Sequence, residues 1–396
     1  MPWRDPGYSD LIRQTVDRLA IEADSDSVKT TGPWTISVSR ELDTVWHIQD
    51  FASDVRSLKE LLGRLGYVPK DGSSLSTAEA DIAEMMACHE GKAIRDPAVD
   101  HRPAWRRAIG LADVARKILA VEGHPNFKQL HPLFELLIGN DEICLFTKTE
   151  RENANNNKLF ELIVGASLMA FMEDCELEDP NSGKHSNNPD FIGRWRGKRW
   201  GIACKALHSD NPKAAIDRIE EGISQIKRSG VDAGLVVLNA KNLIPHDGVW
   251  PATIKDGVWH YQAYANLEEV QNEFIAEFRN RNANILLKAS GEDVDDNPDA
   301  KLAAAGRGRD VMLKLFSGTN AKPWMPIVWL TVVAQQTPDV GILAPAIFRF
   351  LTAFTLPREA ADKETNDLCL LLSLAIQNLK PNEENLERAR RAMGCS

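Results

Sequence analysis

The part of this 396-residue chain that most narrows its possible folds runs from Lys158 to Asn239, where apolar segments separated by sharp breaks follow in a telling order. Lys158 to Met172 is apolar on nearly every face, which marks a helix packed inside a domain. Cys175 to Glu178 reads as a short first strand. A polar turn, Asp179 to Asn188, leads into Phe191 to Trp195 and Trp200 to Lys205, two strands joined at Gly197. Pro212 then opens a helix as a good first-turn residue, Ala214, Ala215, Ile216, Ile219, Ile223 and Ile226 give it an apolar stripe, and Gly230 closes it. In Ala233 to Asn239 the unbroken run Leu235, Val236, Val237, Leu238 fits a buried parallel strand after a crossover helix. Helix, strand, hairpin, helix and strand predict an α/β core.

The flanks are mostly helical. Apolar residues recur at three- and four-residue spacing in Phe51 to Leu65 and Ala104 to Val121, with breaks at Gly32-Pro33, Pro69 to Gly72 and Pro97 to Pro103. The Asn-rich run Asn153 to Asn157 places a domain boundary near residue 148. Beyond Trp259 the pattern predicts a helix over Leu267 to Arg281, an acidic loop over Ser290 to Asp299, and another helix over Arg309 to Phe316. Met325 to Val333 reads as a buried strand of the same sheet, which makes residues 266–320 a helical insertion. Ala346 to Phe354 and Asp367 to Leu379 read as helices before a charged tail. The expected organisation is a helical N-terminal regulatory or partner-binding domain over 1–148, the α/β domain over 149–360 and a helical tail over 361–396.

Charge and cysteine usage limit the function classes. A net charge of −10 argues against a protein that coats nucleic acid over its whole surface, so nucleic-acid contact requires a local basic patch. Cys88, Cys144, Cys175, Cys204, Cys369 and Cys395 show no paired C-x-x-C spacing, which disfavours a structural zinc site and a disulfide framework and points to reduced thiols in the cytoplasm. The N-terminal residues lack the apolar core of a signal peptide. The most apolar stretch, Leu159 to Met172, is too short to span a membrane and contains Glu161.

The chemistry gathers on the two strands of the hairpin. Asp190 opens the first, a position suited to a hard-oxygen ligand for a divalent cation. Residues two apart on a strand share a face, so positions 203 and 205 project side by side near Asp190. A carboxylate at 203 would complete a metal pocket, but the residue there is Ala203. The backbone carbonyl of Cys204 would supply a neutral ligand. Lys205 would orient an attacking water and stabilise developing negative charge. Glu161 either favours the positive end of its helix as a first-turn acid or, among Phe160, Leu162 and Ile163, is a buried carboxylate that calls for a metal or lysine partner. Gln225, on the helix after Lys205, is placed to touch substrate or water, or else is a solvated amide. Arg194, Arg196, Lys198 and Arg199, interleaved with Trp195 and Trp200, form either a phosphate- and base-binding surface or a solvated hairpin over a tryptophan core. His89, Glu90, His101 and His124 have no metal-ligand spacing, and no phosphate-binding P-loop is visible.

Pro189-Asp190 and Ile202-Ala203-Cys204-Lys205, with Glu161 in the preceding helix, make residues 152–240 resemble the PD-(D/E)xK nuclease superfamily. The resemblance implies a restriction-endonuclease-like fold, a mixed β-sheet flanked by helices, and cleavage of DNA, less often RNA, dependent on Mg²⁺ or Mn²⁺. It also implies a catalytic set of Asp190, Lys205 and Glu161 with an acid expected at 203, and a setting in prokaryotic restriction or antiphage defence with a protein partner or a homo-oligomer. Ala203 departs from the family pattern. It has three readings: a substitution made to trap substrate, a nuclease fold retained as a non-enzymatic binding scaffold, or migration of the acid role to Glu161 or Glu178. Survival of Asp190, Lys205 and Glu161 favours the first.

Overall fold

The computed structural model describes residues 48–89, 92, 96–139, 144–148, 154–178, 188–262, 267–293, 297–336, 343–356 and 362–392. The break at Gly32-Pro33, Glu90 and Cys395 lie outside them. Among the described residues, helices α1 (Ile48–Arg64), α2 (Ser74–His89), α3 (Arg102–Ala120) and α4 (His131–Ile138) come first, and α5 (Ala154–Met169) leads into the sheet. Strands β1 (Glu173–Leu177), β2 (Phe191–Trp195) and β3 (Lys198–Ala206) form an antiparallel meander. Helix α6 (Pro212–Arg228) then crosses over to β4 (Ala233–Asn239), parallel to β3. A one-turn helix α7 (His246–Val249), the hairpin β5 (Ala252–Lys255) and β6 (Val258–Tyr261), and the helices α8 (Leu267–Ser290) and α9 (Pro298–Phe316) follow. Strand β7 (Trp324–Gln336) runs parallel to β4 and β8 (Leu343–Thr355) antiparallel to β7, before α10 (Lys363–Ile376) and α11 (Glu383–Ala392). The result is a six-stranded mixed sheet in the order β1-β2-β3-β4-β7-β8.

Strand alternation divides the core between the two faces of this sheet. Trp200, Ile202 and Cys204 of β3, Leu235 and Val237 of β4, and Val328 and Leu330 of β7 share one core with α1 to α5, α10 and α11. Ala203, Val236, Leu238, Ile327 and Trp329 point the other way, onto Ile219, Ile223 and Ile226 of α6 and Phe278 and Ile285 of α8. The N-terminal helices therefore pack into the same core as α5 and the sheet. Leu235, Val236, Val237 and Leu238 are fully buried, as an unbroken apolar run with helices on both sides requires.

The β2–β3 turn puts Arg196 at φ 49° and Gly197 at φ 76°, the left-handed pair a two-residue hairpin needs. Asn211 accepts from the Lys213 N–H and so caps α6 ahead of Pro212.

Two sequence expectations need correction. Ala346 to Phe354 lies in β8, not in a helix, because β7 offers it a continuous antiparallel partner from Trp324↔Thr355 to Gln336↔Leu343. Helix α9 begins at Pro298, capped by the Asn297 side chain, so it starts well before Arg309 and takes in the end of the expected acidic loop.

Candidate active site

The meander and the crossover bring the residues singled out in the sequence to one end of β3. Phe191 pairs with Ile202, and there the β2–β3 register ends. The N–H of Cys204 thus has no strand partner on that side, and Asp190 Oδ2 accepts it at 2.7 Å. A residue's N–H and C=O leave a strand on the same side. The Cys204 carbonyl is accordingly turned toward Asp190 rather than β4, as the expected neutral ligand requires. Asp190 is buried, and burial raises its proton affinity against the opposing charge of Lys205 and the Cys204 N–H. The Cys204 thiol is raised well above its ordinary range by burial, then by Asp190 and Glu161, so it stays protonated.

Lys205, also buried, points to the α6 side, where its Nζ meets Glu221 Oε1 at 3.3 Å. Arg218 holds the other oxygen of Glu221 at 2.8 Å. Burial works to raise the Glu221 carboxyl, but Lys205 and Arg218 prevail and keep it below its usual range, hence ionised. Ala203, on the same face as Lys205, is fully buried under Gly222, the next residue along α6. A Cβ at Gly222 would stand 3.4 Å from that of Ala203 and 2.9 Å from the Val236 methyls. The absence of a side chain at 222 lets the helix ride close over position 203.

Glu161 approaches from α5 on the opposite face. Burial, then the charge of Asp190, pushes its carboxyl up to about 8. Lys158, one turn earlier, is its direct partner at 2.7 Å. Glu178, just beyond β1, donates its N–H to the Asp190 carbonyl at 3.0 Å. Asp190, Glu161, Lys205 and Cys204 thus form one electrostatic cluster, extended by Lys158, Glu178 and Glu221.

The donor set fits a divalent cation in one respect. Two buried carboxylates, Asp190 and Glu161, stand close enough for the charge of one to raise the other's proton affinity, and a cation relieves that repulsion. Mg²⁺ is commonly held by one or two carboxylates with water in its remaining positions. Among the described residues, no three His, Cys, Asp or Glu side chains gather around one point, so Ala203 leaves a two-acid site.

Gln225 and the basic hairpin are the remaining nominated residues. Gln225 is buried, so it is not a solvated amide, and its Oε1 has no hydrogen-bond partner among the described residues. The basic hairpin lies at the far end of the strands: seven residues of β3 separate Lys198 from Lys205, roughly 23 Å at about 3.3 Å per residue. Its charges are engaged within the chain. Arg194 binds Asp174 at 2.8 Å, Arg196 binds Asp367 at 2.6 Å and Glu383 at 3.0 Å, Lys198 binds Glu364, and Arg199 approaches Glu176 at 3.4 Å. Trp195 and Trp200 fill the core beneath, with the Arg196 guanidinium 4.5 Å over the Trp195 ring.

Comparison with protein-family models, curated proteins and solved structures finds no match for this chain. Glu221 and Lys158 are the site residues that sequence reasoning missed. Glu221 lies one turn before Gln225 on α6, but its contact with Lys205 depends on how closely α6 crosses β3. Lys158 carried a local signal, three residues before Glu161.

Proposed function

We propose that the chain is a divalent-metal-dependent nuclease of the PD-(D/E)xK type with a two-acid metal site, in which Glu221 of α6 holds Lys205 in place. The observation that carries this reading is the Lys205–Glu221 contact beside Ala203 and Gly222. It puts an ionised acid against the lysine on the α6 side of the sheet. The order α5-β1-β2-β3-α6-β4 supports it as well, since a mixed sheet with a helix on each face is what the resemblance implies. DNA as the preferred substrate rests on that resemblance.

Asp190, Glu161 and the Cys204 carbonyl would hold the cation, Mg²⁺ or Mn²⁺. When bound, it lowers the pKa of a ligated water and neutralises charge on the scissile phosphate. The chain's own residues do the positioning. Asp190, anchored by the Cys204 N–H, fixes one acid relative to β3. Glu221 and Arg218 fix the Lys205 ammonium, which orients the attacking water and stabilises charge on the phosphoryl oxygens. The sheet and α6 exclude solvent behind Lys205.

The test is incubation of the purified chain with plasmid DNA, and in parallel with RNA, in Mg²⁺ or Mn²⁺. Metal-dependent cleavage, lost in Asp190→Asn, Lys205→Met and Glu221→Gln by about 100-fold or more, is the expected result. Cleavage unaffected by Glu221→Gln would remove Glu221 from the site. A second reading, a non-enzymatic scaffold that binds nucleic acid or protein, is favoured by one observation: Glu161 and Lys205 both already sit in ion pairs within the chain. It predicts no cleavage by the wild-type chain or by Ala203→Glu, and salt-sensitive binding that ignores metal.

A further inference from the structure

Lys158 and Glu161 sit one turn apart on α5, in an i, i+3 contact of 2.7 Å. Such a pair on an exposed helix is a minor surface contact. Here both side chains are largely withdrawn from water, at 23% and 11% exposure, where leaving either charge unpaired is costly. Asp190 and Glu178 add their opposite charges to that of Glu161 around the same ammonium. One half-buried ammonium is therefore in contact with the carboxylate of Glu161 and within the field of Asp190 and Glu178. This is the charge arrangement of a cation site with a lysine standing in the cation's place.

We propose that Lys158 and a divalent cation are alternative occupants of the Glu161–Asp190 pocket, so that Lys158 sets how tightly the site takes metal. The proposal rests on the metal-site reading above. A cation on Glu161 and an ammonium in contact with the same carboxylate repel one another, so metal enters only as Lys158 swings away on its four-carbon stem. Once displaced, the ammonium remains at the pocket edge as a point charge suited to a phosphate oxygen. Nucleic acid that draws Lys158 outward thereby favours metal, and by reciprocity metal favours nucleic acid.

The test is Mn²⁺ binding, followed by electron paramagnetic resonance or calorimetry at fixed pH without nucleic acid, for the wild-type chain and for K158M, K158R and E161Q. K158M is expected to bind Mn²⁺ about tenfold more tightly or better, K158R to stay near wild type, and E161Q to bind weakly. A short DNA duplex is expected to tighten Mn²⁺ binding to the wild-type chain and to leave K158M unchanged. Should wild type and K158M bind Mn²⁺ equally while E161Q abolishes binding, the Lys158 proposal falls and the metal site stands. Should no variant bind Mn²⁺ at millimolar concentration, the metal-site reading falls with it. Thermal melts confirm that each variant folds, and K158Q replaces K158M if the latter does not.

Discussion

At the scale of single residues, Asp190 holds two roles that substitution can separate. Its carboxylate accepts the buried Cys204 N–H, so Asp190→Ala leaves that donor orphaned, at a cost of about 1–3 kcal/mol. Asp190→Asn keeps an acceptor and removes the charge. Urea melts are expected to show Asp190→Ala clearly destabilised and Asp190→Asn close to wild type, with Mn²⁺ binding weakened in both. Ala203 is expected to resist restoration of an acid. With Gly222 packed over it, Ala203→Glu forces α6 outward and buries a carboxylate, costing about 3 kcal/mol or more in a urea melt. Glu161 makes the pocket sensitive to pH. Its carboxyl is raised from 4.5 to about 8, so the folded metal-free chain binds this proton more tightly than the unfolded chain does. That contribution to stability is fully present below pH 4.5 and is lost as pH rises through 8. Metal must displace the same proton, so Mn²⁺ affinity is expected to climb up to about pH 8 and then level off, which calorimetry across that range would check.

At the scale of elements, the β2–β3 hairpin is a clamp on the C-terminal helices. Arg196 reaches Asp367 on α10 and Glu383 on α11, and Lys198 reaches Glu364 on α10. Neutralising Arg196 and Lys198 together is expected to lower the thermal midpoint by a few degrees. Nucleic-acid affinity should stay within about twofold and its salt slope unchanged, because these cations contact no phosphate in the proposed site. A fall in that slope by one or two charges would instead assign the hairpin to the substrate. Local pattern was enough to locate β2, α6 and β4, since Trp195, Pro212 and the run Leu235 to Leu238 carry their own turn, cap and burial signals. It was not enough for β8, where an apolar run without strict alternation suits helix or strand and pairing with the preceding β7 decides. The β5–β6 hairpin did carry a local signal, Asp256-Gly257, with both residues at positive φ, and it went unread. Asp190, Lys205 and Glu161 were legible because strand alternation and burial are local properties. Glu221 was not, because its place beside Lys205 depends on how closely α6 crosses β3, and that distance is set by a missing side chain at Gly222.

At the scale of the whole molecule, a buried polar hub joins the helical half to the sheet and the C-terminal helices. Asp113 Oδ1 accepts from Lys117 at 2.9 Å, from Asn378 at 2.9 Å and from Arg349 of β8, all away from solvent. Burial lowers the Lys117 ammonium from 10.5 to about 7, although Asp113 opposes the shift. Between those values the unfolded chain holds the Lys117 proton more tightly than the folded one, so this residue makes stability rise with pH from 7 to 10.5. The slope is at most about 1.4 kcal/mol per pH unit. Lys117→Met is expected to flatten that rise in denaturation profiles and to leave stability at pH 7 near wild type or higher, since Asp113 keeps Arg349 and Asn378. No helix among the described residues is long and apolar enough to cross a membrane. The hub also has a consequence for synthesis. Asp113 and Asn378 are 265 positions apart. At about 5–20 residues per second, a ribosome takes on the order of ten to fifty seconds to deliver the second after the first. Over that interval the nascent chain carries Asp113 and Lys117 without Arg349 or Asn378, and an apolar helix face without its sheet. The hub therefore closes only late in synthesis, once Asn378 has been made.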